Sequence, residues 1–115
     1  MREPVRDKGR LQHIVEASQI LLKSKDEESL ENIKGDPVKF YGYVKLVEII
    51  GEASYKLTKE YKDAHPEVPW QLMAGMRHVL VHDYYNISPA QLWKTITKDI
   101  PVLVPIIEKL LEGQE

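Results

Sequence analysis

A chain of 115 residues is long enough to bury one hydrophobic core without covalent staples and too short for two independent domains, so residues 1–115 are expected to form a single unit. It contains no cysteine, which excludes a disulfide framework or a thiolate metal site and makes a reducing cytoplasm the expected setting. With 16 Lys and Arg against 18 Asp and Glu the formal charge is −2, so there is no global attraction to nucleic acid and any RNA contact must be local.

The opening "MREPVRDKGR" is basic on balance and runs straight into an amphipathic pattern, with no apolar signal-peptide core behind it. From Leu11 onward, Leu11, Ile14, Val15, Ser18, Leu21 and Leu22 recur at three and four residues, which predicts a long helix with one buried face. "KSKDEESLENIKGDP" is charged and ends in Gly-Asp-Pro, so it reads as a connection with one short helical turn, its acidic run a solvated face. Beyond Pro37 the stripe Phe40, Val44, Val47, Ile50, Ser54, Leu57, Tyr61 predicts a second long helix, widened by Leu46, Ile49 and Ala53 so that it must touch two neighbours. Gly51 inside it costs up to about 1 kcal/mol relative to Ala, which suggests that another backbone or side chain comes close there.

Pro66 and Pro69 stop that helix, and a third begins near Trp70. Its stretch "WQLMAGMRHVLVHDYY" is apolar round most of its circumference, so it is expected at the centre of the molecule. Ser88 and Pro89 offer an N-cap and a first-turn proline for a fourth helix, and Asp99 with Pro101 predicts a break before the last segment. No stretch alternates with period two for long, and runs such as "VLVPII" fall far short of the roughly 20 apolar residues that span a membrane. The expected fold is all-α, an up-and-down bundle of four or five helices.

Within the third helix, "RHVLVHDYY" gathers one arginine, two histidines, an aspartate and two tyrosines. His78 and His82, four apart, share a helix face and could bind zinc, but the glutamate that follows the first histidine of the zinc-protease motif is here Val79 and no third ligand is marked; no metal or other cofactor is expected. Hydrogen-bonded core or interface histidines are the plain alternative. Arg77 weighs against a purely structural cluster, because an unpaired cation in an apolar helix carries a desolvation cost of several kcal/mol and needs an anion or a wet cleft. His82 lies five residues on, about 140° round the cylinder, so one straight helix cannot easily focus both groups. Either the helix loosens after His82, or two copies meet across a two-fold axis; the homodimer is the expectation.

Arg77, His82 and Tyr84 spell R-x-x-x-x-H-x-Y, which resembles the signature of HEPN-domain ribonucleases and in particular of HepT-like toxins. "VEIIGEASYKLT", "HPEVPWQLMAGMRHVLVHDYY" and "LWKTITKDIPVLVPIIEKLL" are similar to three further blocks of that family in the same order, over roughly residues 38 to 112. HepT-like proteins most often carry asparagine after the arginine, where this chain has His78. The resemblance implies a metal-independent RNA endonuclease toxin of a type II or VII-like toxin–antitoxin pair, with Arg77 and His82 catalytic and His78 secondary. It further implies that an MntA-like nucleotidyltransferase antitoxin adenylylates Tyr84, and that the dimer could assemble further with that partner. The competing expectation is a non-catalytic helical module that only binds a nucleotidyltransferase.

Overall fold

The computed structural model describes residues 2–82 and 87–113, with side chains over 7–77 and 87–113. Among the described residues seven α-helices follow one another: α1 (Arg2–Lys25), α2 (Leu30–Lys34), α3 (Pro37–Tyr55), α4 (Lys59–Ala64), α5 (Trp70–His82), α6 (Pro89–Lys94) and α7 (Ile100–Glu112), with a π-helical turn, Thr95–Asp99, between the last two. No strand occurs among the described residues, so the all-α bundle expected from periodicity is the fold. None of the described helices is long and apolar enough to cross a membrane.

The helix starts follow from local chemistry. Ser29, Asp36, Thr58 and Ser88 each sit in extended backbone and accept an amide hydrogen from the first turn of α2, α3, α4 and α6, respectively. Pro37 and Pro89 fill first-turn positions whose amides have no intrahelical partner. Part of the core is the stripes read from the sequence, with Leu11, Ile14 and Leu21 of α1 and Val44, Val47 and Ile50 of α3 buried; Ile33 of α2 and Met73 of α5 join them. Leu92, Ile96, Ile100, Leu103, Val104 and Ile107 complete it from the C-terminal third.

Four features depart from expectation. First, α1 begins at Arg2, well ahead of Leu11, because buried Asp7 anchors its early turns: the carboxylate accepts from the Thr58 amide at 2.9 Å and the Thr58 hydroxyl at 2.7 Å. Second, the same clasp ends the helix expected to run on to Tyr61. Thr58 is held extended, α3 stops at Tyr55, and the Thr58 hydroxyl caps α4 by accepting from the Tyr61 amide at 3.2 Å.

Third, no break occurs at Asp99, which keeps helical dihedrals and makes no side-chain cap. The chain instead widens: the Ile100 amide bonds back to the Thr95 carbonyl, five residues away. In a regular helix the Pro101 ring would strike the carbonyl four residues before it, and the wider turn relieves that clash without ending the rod. The Thr95 and Thr97 hydroxyls also donate to the Gln91 and Trp93 carbonyls, a bonding pattern that bends helices. The wider turn has a packing consequence. Leu92, Ile96 and Ile100 are spaced by four, which overshoots an α-turn by about 40° each step, yet all three are buried.

Fourth, the described part of α5, residues 70–77, leaves some of its apolar face exposed. Among the described residues it packs chiefly on α3, while α3 and α1 have the larger sets of neighbours. Leu72 is 48% exposed, and Leu72, Gly75 and Met76 border a cleft of about 810 Å³ closed on its other sides by Val47, Ile87 and Leu92. Among the described residues of α5, Leu72 thus leaves apolar surface uncovered within one protomer.

Candidate active site

Gly51 and Arg77 mark the closest approach of α3 to α5. A Cβ built on Gly51 would lie 2.7 Å from the Arg77 Cβ and 2.8 Å from its Cα, and closer still to its amide nitrogen. Only glycine lets the two backbones touch there, which accounts for its place inside a helix. The contact fixes where the Arg77 side chain leaves α5.

Two α3 residues then fix where it goes. Glu52, next to Gly51, accepts from Arg77 Nε at 2.6 Å. Tyr55, one turn on from Gly51, places its ring under the guanidinium carbon at 4.3 Å, within the range of cation–π attraction. Lys56 stands 3.5 Å from the second Glu52 oxygen. The hydrogen bond from Arg77 holds the Glu52 carboxyl below the usual carboxylate range, burial opposes the shift, and the charges of Arg77 and Lys56 reinforce it. Glu52 is therefore ionised at neutral pH. Arg77 retains 28% of its side-chain exposure, so it is a fixed cation open on one side.

The anion that Arg77 needs is thus within the chain, and sequence reasoning did not name it. The signals were present: Gly51 implied a close neighbour, and the next residue is the acid. Tyr55 carried no separate signal.

The backbone of His78 and His82 belongs to α5, which carries His82 about 7.5 Å along the axis from Arg77 and 140° round it. The side chains of His78 and His82, and the whole of Tyr84, lie outside the described residues. Among the described residues no group of three His, Asp or Glu could hold a metal ion.

Comparison with known proteins gives this seam its context. The family model described as ribonuclease HepT-like matches residues 11–110. A "Probable ribonuclease HepT" of Thermococcus cleftensis is 38% identical over 103 residues, covering 90% of this chain and 94% of that protein. A "Putative RNase" of Caldanaerobacter subterraneus subsp. tengcongensis is 36% identical over 105 residues, covering 91% and 94%. Another "Putative RNase", from Methanocaldococcus jannaschii, is 33% identical over 92 residues, covering 80% and 84%. No solved structure matches. The family match extends into α1, ahead of the residues that carried the resemblance in the sequence, and runs through every helix that positions Arg77: the chain belongs to the HepT-like ribonuclease family.

Proposed function

We propose that the protein is a HEPN-type RNA endonuclease that acts as a homodimer. The observation that carries this reading is Arg77 itself, a partly exposed guanidinium whose direction is set by a backbone contact, an ion pair and an aromatic ring, in a chain of a ribonuclease family. Glu52 takes Nε, so a phosphate would be met by the two terminal amino groups, a planar fork that lysine does not reproduce. Fixed charge of this kind is most effective against oxyanions that gain charge in the transition state.

In the reaction, the ribose 2′-hydroxyl attacks the adjacent phosphorus, His82 removes its proton, and the bond to the 5′-oxygen breaks. The partner copy's imidazole returns a proton to that oxygen, leaving a 2′,3′-cyclic phosphate and a 5′-hydroxyl. Histidine suits both roles because it titrates near neutral pH, and positioned proton transfer contributes about 10²–10⁴ in rate. His78 assists by orienting the phosphate. The 140° between Arg77 and His82 supports assembly of the site from two copies, as does the apolar surface of α5 round Leu72 that one protomer leaves uncovered.

Regulation follows from the resemblance: an MntA-like nucleotidyltransferase antitoxin adenylylates Tyr84, adding a bulky anion two residues from His82 that repels RNA phosphate. Intact mass after co-expression tests this, since adenylyl additions that persist in Tyr84→Phe would assign the acceptor elsewhere. For the nuclease, wild type, Arg77→Ala and His82→Ala are incubated with cellular RNA in the presence of chelator. Cutting by wild type alone is expected. Equal cutting by all three would remove Arg77 and His82 from the mechanism, and no cutting by any would leave a helical binding module.

A further inference from the structure

Another concavity lies between α1 and α3. It encloses about 250 Å³ and is lined by Arg10 and His13 from α1 and by Lys45, Glu48 and Glu52 from α3. Glu52 is also the acid that holds Arg77, so this crevice and the candidate active site share a wall. From Lys45 to Glu52 is seven residues, so the crevice extends about 10 Å along α3 away from Arg77.

Its charge runs against that of the whole chain. Among the described residues, Arg10, Lys45, Lys56 and Arg77 face Glu48 and Glu52 in and beside it, whereas the protein as a whole carries −2. The carboxylates are engaged: Glu52 by Arg77 and Lys56, and Glu48 by Lys45 at 3.5 Å. Arg10 is not. Its Nε is buried with no hydrogen-bond partner among the described residues, and no carboxylate there neutralises it. A half-buried guanidinium with no ion-pair partner among the described residues, beside a 66% exposed lysine and an exposed histidine, is a place that favours an anion from outside.

We propose that this crevice is a subsite for the RNA strand, in which Arg10 and Lys45, with His13 beside them, receive a backbone phosphate neighbouring the scissile one. The proposal rests on the nuclease reading and adds the path of the strand: from Arg77 over the Glu52 wall and along α3 towards Lys45. Contacts to phosphate carry no base information, so the subsite sets affinity and register and leaves sequence choice to other groups.

The test uses the full chain and a single-stranded RNA oligonucleotide bearing 2′-O-methyl groups, which cannot be cut, together with its cleavable counterpart. Lys45→Gln and Arg10→Gln are each expected to lower the slope of log affinity against log salt by about 0.7, the value for one lost single-strand phosphate contact. In cleavage the same variants should raise KM several-fold with kcat within about two-fold of wild type, the pattern of lost uniform binding. Lys45→Arg should retain wild-type values. Lys45 is a surface residue, so its variant stays folded and keeps the test decisive should Arg10→Gln unfold. Cutting by wild type with unchanged KM and salt slope in Lys45→Gln and Arg10→Gln overturns the subsite and keeps the nuclease. Binding that depends on Lys45 without any cutting overturns the nuclease and keeps an RNA-binding crevice. Neither cutting nor binding overturns both.

Discussion

Where α1 meets α7, both helices feed the aliphatic core, Leu11, Ile14 and Leu21 from one and Ile100, Leu103 and Ile107 from the other, with a polar tie between Gln19 and Glu108 at 2.6 Å on the exposed edge. Where α3 meets α5, the helices touch at backbone level through Gly51 and Arg77, and the neighbouring contacts are an ion pair and an aromatic ring. The first seam supplies stability through area removed from water and depends on volume more than on any one geometry. The second supplies position. It leaves Arg77 one direction in which to point.

Substitutions in the two seams should therefore fail differently. Leu11→Ala, in the aliphatic seam, is expected to cost about 2–5 kcal/mol and to lower the melting temperature by ~4 °C for each kcal/mol, while the fraction that remains folded cuts RNA at the wild-type rate. Calorimetry beside single-turnover cleavage checks this, and a rate loss in folded protein would erase the distinction.

Gly51→Ala gains up to about 1 kcal/mol of helix propensity but puts a methyl into the Arg77 backbone, which cannot yield as a side-chain tip can. Overpacking of this kind costs about 1–3 kcal/mol. The net expectation is a loss of about 1–2 kcal/mol together with a fall in cleavage larger than the stability change explains, since a displacement of about 1 Å near the chemistry can cost 10²-fold.

Glu52→Gln should change stability by less than about 1 kcal/mol, because both partners of the pair are partly exposed. Its effect belongs to kcat: a roughly ten-fold fall is expected as Arg77 loses its fixed direction, with KM for RNA little changed. A fall in KM alone would place Glu52 in repulsion of RNA instead.

The smallest effect is with pH. The Glu52 carboxyl is lowered in the folded state, so its contribution to stability is fully present above the ordinary carboxylate value of about 4.3 and is lost as pH falls through the lower folded value. Between pH 5 and 8 the ion pair should be constant, and the pH–rate profile of Glu52→Gln should keep the wild-type shape. A profile whose acid limb moved would show Glu52 taking part in proton transfer.

How far the sequence foretold this division depends on the kind of information each seam uses. The aliphatic stripes repeat with the helical period, and every buried aliphatic position of α1 and α3 named above lies on a predicted stripe. The candidate site was legible in part: Arg77 drew attention as a cation in an apolar helix, and Gly51 as a costly residue in a helix interior. Their meeting was not legible, because a contact between residues 51 and 77 leaves no periodic trace. The same holds for Asp7 and Thr58, whose bond across the fold divides what looked like one helix into α3 and α4. The π-helical turn before Pro101 was hidden for another reason: proline signals trouble in a helix without saying whether the chain will stop or widen.

The glycine at position 51 also separates two kinds of inheritance. Because the guanidinium leaves α5 at a point set by main chain against main chain, volume-conserving changes among the aliphatic residues of the interior can proceed without moving that cation. A protein engineer could accordingly recut the α1–α3 crevice at Lys45, provided that Glu52 is kept and no carbon is ever added at Gly51.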